Sequence, residues 1–191
     1  MKKSILLSLS IAAIPFLLAG GLAGHLAAQD IFISKNGKVS FFSKAPLEDI
    51  NPLSDKLASV LNTKTKKLVF SVIIKTLHDF NAALQEEHFN EKYMHSDKYP
   101  KATFKGKIVD DVDLTQPGTY NVKAKGILNI HGVEQERTIV GVITVEEGKI
   151  NLKAKFKVEV ADHKVKIPKL VWEKVAEVVE VTIDITYLPK E

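Results

Sequence analysis

Strict two-residue alternation of apolar and polar side chains recurs along the second half of this chain, and it constrains the fold more than any other feature. Over 101–110 one face carries Ala102, Phe104, Gly106 and Ile108, and the other Lys101, Thr103, Lys105 and Lys107. Successive side chains of a strand point to opposite faces, so such a segment is a half-buried strand with one dry side. The pattern returns over 119–131, where Tyr120, Val122, Ala124, Gly126, Leu128 and Ile130 oppose Asn121, Lys123, Lys125, Asn129 and His131. It returns again over 149–160 and over 179–187. Less regular strands are expected at 38–45, 56–61, 67–76 and 136–145, where apolar residues on both faces suggest a covered outer side. Turn residues separate the strands at Asn36-Gly37, Gln116-Pro117-Gly118, Gly132 and Glu147-Gly148.

Strands joined by short turns imply an antiparallel meander. Eight such strands can hide their apolar faces in a two-sheet sandwich or in a closed barrel, and closure also removes exposed edges. The fold class is therefore all-β, with a short helix expected at about 81–95, where Ala82, Phe89 and Tyr93 share one helical face. The stretch 168–177 reads as a short helix or an irregular loop. Small residues (Ala102, Gly106, Ala124, Gly126, Ala154) share the dry faces with large ones. They either leave an elongated apolar tunnel or accommodate bulky neighbours across a packed interior, and spacing does not decide between the two.

The N-terminus belongs to a different category. Lys2 and Lys3, an apolar run from Ile5 to Leu18 and a small-residue stretch from Ala19 to Ala28 follow in the order of a secretory signal. We expect residues 1–28 to be a signal peptide, residues 30–188 to be one domain, and the mature protein to be periplasmic or secreted. There is no cysteine, so packing alone must stabilise the domain. The formal charge of +4 is too small to point to nucleic acid.

One stretch, His88-Phe89-Asn90-Glu91-Lys92-Tyr93-Met94-His95-Ser96-Asp97-Lys98-Tyr99-Pro100-Lys101-Ala102-Thr103-Phe104, resembles the "HF…KYP-A-TF" junction of the YceI-like family. Gly118-Thr119-Tyr120 and Leu128-Asn129-Ile130-His131-Gly132-Val133 are similar to that family's "G-Y…HGV" stretch, in the same order. The resemblance spans the mature domain. It implies a single eight-stranded antiparallel lipocalin-like β-barrel that is exported and binds a long-chain polyisoprenoid or isoprenoid quinone in its interior. The chain departs from the family at 162–168, where Asp162-His163-Lys164-Val165-Lys166-Ile167-Pro168 replaces an aromatic "DFGI"-like segment.

From the parity of the dry faces, the ligand-lining residues are expected to be Phe70, Val72, Ile74, Phe104, Ile108, Tyr120, Val122, Leu128, Phe156 and Ile183. No catalytic residue, metal or cofactor is expected. His88 and His95 lie two helical turns apart beside Glu87 and Glu91, but no HExxH or Cys/His spacing accompanies them. His131 reads as a turn residue held by hydrogen bonding. Lysines at 101, 105, 107, 123, 125, 153, 155 and 157 form an outward stripe, which is either a solvated face or a transient contact with a membrane surface. The alternative function is a secreted interaction or structural protein with a solidly packed barrel. Oligomeric state is not legible.

Overall fold

The computed structural model describes residues 30–168 and 173–190. The expected signal segment lies outside the described residues, as do 169–172 of the stretch 168–177. Nine strands follow in chain order: β1 (Ile31–Lys44), β2 (Asp49–Ile50), β3 (Leu53–Asn62), β4 (Lys67–Ile73), β5 (Lys101–Ile108), β6 (Gly118–Ile130), β7 (Val133–Glu146), β8 (Lys149–Glu159) and β9 (Val178–Pro189). The two-residue β2 pairs only with the end of β1. The other eight form one antiparallel ring, closed by pairing of β1 with β9. Of the two architectures open from sequence, the barrel is the one formed.

The turns follow the local chemistry, with one exception. His131 and Gly132 both have positive φ (54° and 72°), the two-residue connection that suits the right-handed twist of a hairpin. Asn36-Gly37, expected to be a turn, instead lies inside β1, which begins at Ile31 rather than near 38. The ladder to β3 shifts register on both sides of Gly37, so the pair forms a bulge. Gly37 serves close packing here: a Cβ on it would stand 2.7 Å from Ile185 Cγ1.

Inside, the barrel divides into a solid half and a hollow one. Leu61, Leu114, Ile143, Ile150, Ile185 and Tyr187, each at most 1% exposed, pack the end near the β7–β8 turn. The Tyr187 hydroxyl donates to Ser59 Oγ (2.7 Å), which in turn donates to the Val69 carbonyl (2.9 Å). The buried phenol thus keeps a partner, and burial holds its pKa well above the ordinary value.

Outside, two expectations need correction. Leu188, Ile33, Val60 and Val69 follow one another across four strands by register. Val60 and Val69 remain exposed, so the outer side of β3 and β4 is not covered by any described residue. The lysine stripe is also not continuous, because β7 separates β6 from β8. Lys125, Lys153 and Lys155 pair with Glu136, Asp184 and Glu180.

The small inward residues split by role. Ala102, Ala124 and Ala154 face the hollow half. Gly106 and Gly126 face each other across β5 and β6 and allow close backbone approach, since a Cβ on Gly126 would stand 2.3 Å from the Lys105 carbonyl oxygen. Gly126→Ala is therefore expected to destabilise the fold by about 1–3 kcal/mol, read as a lower urea midpoint. An unchanged midpoint would show that β5 and β6 part without cost.

Candidate functional site

The hollow half encloses a cavity of about 630 Å³, within the roughly 300–1,000 Å³ range of small-molecule pockets. Its walls are apolar: Leu57, Phe70, Val72, Phe104, Val122, Leu128 and Phe156 line it among others. The packed layer around Tyr187 forms its floor, so the tube is blind. Its width follows from residue size in one register row: Val39, Ile183, Ala154, Gly141 and Val122 are paired in succession around the wall, and two of the five are the smallest residues available.

Two segments cover the other end. The first follows β4: a 3₁₀ turn (Ile74–Thr76), then α1 (Ala83–His88), which continues as a π-helical turn over Phe89–Tyr93. Ala82, Phe89 and Tyr93, expected to share a face, all line the cavity. Phe89 stacks on Phe41 of β1 (centroids 5.4 Å apart) and meets Phe80 (5.1 Å). Such aromatic pairs contribute about 0.5–1.5 kcal/mol each beyond burial. Asn81 Nδ2 donates to the Asp49 carbonyl (3.0 Å) and joins the helix start to β2. The second segment is the 3₁₀ turn Val160–His163 and the chain after it. Pairing of β7 with β8 stops at Gly141↔Ala154. Beyond that point Asp162 bridges to β7, its carboxylate accepting from Arg137 (2.8 Å) and its carbonyl from Gln135 Nε2 (2.8 Å).

The two motif segments meet at this covered end. His95 and His131 are joined ring to ring (Nδ1 to Nε2, 2.9 Å), and Tyr99 meets the His131 ring edge-on at 4.7 Å. Tyr99 also lies on Gly132, where a Cβ would stand 2.4 Å from its ring. His131 Nδ1 donates to the His163 carbonyl (3.1 Å), and His163 Nδ1 donates to the Val133 carbonyl (3.0 Å). His163 is fully buried and lines the cavity. Burial lowers its pKa and Arg137 adds to this, while the Val133 and Ile130 carbonyls and Asp162 act in the opposite direction.

Nine of the ten residues read from parity face the cavity: Phe70, Val72, Ile74, Phe104, Ile108, Val122, Leu128, Phe156 and Ile183. Tyr120 does not line it. Its parity is right but its depth is wrong, because it lies at the solid end, where its hydroxyl donates to the Gln116 carbonyl (3.0 Å) and its ring covers Gly118. Parity missed the contributions of the covering segments, His163, Met94 and Phe89 among them, because these lie outside the alternating strands. Among the described residues no group of three or more His, Asp or Glu is placed to hold a metal ion. His88 lines the cavity, whereas His95 is engaged with His131.

A closed eight-stranded antiparallel barrel with a hollow apolar interior defines the lipocalin-like class of barrels. The chain belongs to the YceI-like family, whose domain matches residues 25–187. No curated protein sequence matches it. Among solved structures it is similar to a polyisoprenoid binding domain from Saccharophagus degradans implicated in plant cell wall breakdown. That match has a TM-score of 0.72 at 13% identity and covers 85% of this chain and 99% of the other. BcnA from Burkholderia cenocepacia gives 0.64 at 16% identity, over 78% and 95% of the two chains. A YceI protein from Campylobacter jejuni gives 0.56 at 15% identity, over all of both. At these identities the likeness is one of fold.

The neutral state of His163 has a consequence for stability. An imidazole in the unfolded chain protonates near pH 6.5, but His163 in the fold does so only at lower pH, so the unfolded state binds more protons in that interval. Its stabilising contribution is complete above about pH 6.5 and is lost as pH falls toward the folded value, with a slope of at most about 1.4 kcal/mol per pH unit. H163Q should show a shallower loss than wild type in urea titrations between about pH 7.5 and pH 5. Parallel curves would show that other groups govern acid sensitivity.

Proposed function

We propose that this protein is an exported carrier that sequesters a long-chain polyisoprenoid or isoprenoid quinone in the barrel cavity and performs no catalysis. The observation that supports this reading most directly is a blind apolar tube in a YceI-like barrel. An isoprenoid tail would enter at the covered end and lie along Phe70, Val72, Phe104, Val122, Leu128, Phe156 and Ile183, with Ile74 near the mouth and Ile108 deeper. The α1 segment would act as the gate, held shut by Phe89 against Phe41 and Phe80. The charged, apolar and small-residue order of residues 1–28 supports export.

The energetics permit passive binding. Each buried methylene contributes about 0.8 kcal/mol, so a tail of about fifteen carbons gives roughly 12 kcal/mol before association costs of about 4–15 kcal/mol. No covalent step is required. The similar domain from Saccharophagus degradans is described as polyisoprenoid binding, which supports the same ligand class here.

Native mass spectrometry of the purified protein, followed by organic extraction and mass analysis of the extract, tests this. The expected result is one isoprenoid or quinone per chain. A protein that stays apo after incubation with such lipids would refute the reading and favour an interaction protein. Ala154→Trp, which places an indole in the tube, should abolish lipid uptake while keeping stability within about 1 kcal/mol of wild type, since the added bulk enters open space.

A further inference from the structure

At the covered end of the cavity one buried hydrogen-bond acceptor has no donor. A carbonyl oxygen can only accept, so the Val133 carbonyl 3.0 Å from His163 Nδ1 places the ring's proton on that nitrogen. A neutral imidazole carries one such proton, which leaves Nε2 with a bare lone pair. The 1,3 arrangement of the two nitrogens turns Nε2 away from β7, and it has no hydrogen-bond partner. His163 is fully buried and lines the cavity. Its orientation is held from outside: His95 Nδ1 donates to His131 Nε2, and His131 Nδ1 donates to the carbonyl of His163 itself. Asp162, the preceding residue, is tied to Arg137 and Gln135. One other buried side-chain atom lacks a partner among the described residues, Asn90 Oδ1, and its residue does not line the cavity.

A buried acceptor on an apolar wall, held from behind through two further histidines, fits a ligand that brings a hydrogen-bond donor. We propose that His163 Nε2 anchors the head of the bound lipid and selects an isoprenoid ending in a hydroxyl, an isoprenoid alcohol or a quinol, over the quinone or ether of the same chain. This rests on the isoprenoid reading of the cavity. A hydroxyl donates to the lone pair. A quinone oxygen or an ether oxygen sets one acceptor against another in a dry site and gains nothing. The tail supplies affinity common to all these molecules, and Nε2 supplies the difference between them.

The test uses four probes on the purified protein: geranylgeraniol, its methyl ether, and a quinol and quinone of equal prenyl length, handled anaerobically. Affinities are measured by competition, and the ring nitrogens of His163 are followed by ¹⁵N NMR. We expect geranylgeraniol, the quinol or both to bind at least about tenfold tighter than the matched ether or quinone. Entry of the preferred ligand should move the Nε2 resonance in the direction of an accepted hydrogen bond while Nδ1 stays protonated. H163F should equalise each pair, and because the NMR measurement uses wild type, the test survives failure of that variant to fold. Equal binding of all four, with Nε2 unmoved, would overturn the anchor and leave the carrier reading intact. Failure of every probe to bind would remove the carrier reading and this inference with it.

Discussion

Pairing between β1 and β9 converts a meander into an enclosure. Every other ladder joins strands adjacent or nearly adjacent in sequence, but this one runs Lys38↔Asp184 to Ser43↔Val179 and brings the two ends of the domain together. It removes the last open edges, so the apolar faces of eight strands turn toward one another instead of toward solvent. The bulge at Asn36-Gly37 belongs to this closure. The β1–β9 register breaks between Ile33 and Lys38, and the missing side chain at Gly37 admits Ile185 against the strand. Without that approach the solid end of the barrel would lose its packing, and the hollow end would lose its floor.

At the opposite end the barrel is finished by polar chemistry. Backbone carbonyls at the β6–β7 turn and at the end of the 3₁₀ turn after β8 are taken up by imidazole N–H groups, and Asp162 spans the gap where β7 and β8 part. The two sequence stretches that carry the family resemblance are far apart in the chain and adjacent in space, through His95, Tyr99, His131 and Gly132. These residues seat the covering helix on the hairpin below it. The segment 162–168 supplies the third histidine of the same cluster.

Much of this was legible in the sequence because strand parity is a local property. The alternation of β5, β6, β8 and β9 identified which side chains face inward, and it placed Phe104, Val122, Phe156 and Ile183 correctly. Depth along the axis is not local. Tyr120 and Val122 share a face, yet one packs at the solid end and the other lines the tube, and only the register of the closed ring distinguishes them. The same limit explains Asn36-Gly37, where a dipeptide suited to a turn forms a bulge because β3 and β9 flank it on both sides. Histidines give no periodic signal. The two nitrogens of His163 differ only in the folded chain, where Nδ1 meets the Val133 carbonyl and Nε2 has no partner.

The blind end has a kinetic consequence. A tube open at both ends lets a linear guest pass straight through, head or tail leading, and exchange can proceed by one guest pushing out another. A tube stopped by Tyr187 and Ile143 admits a guest through one mouth only and releases it along the path by which it came. The terminus that enters first is the last to leave, and two guests cannot share the passage. Turnover in such a container is strictly sequential, so the rate of exchange is set by how long the present guest stays rather than by how many others wait outside.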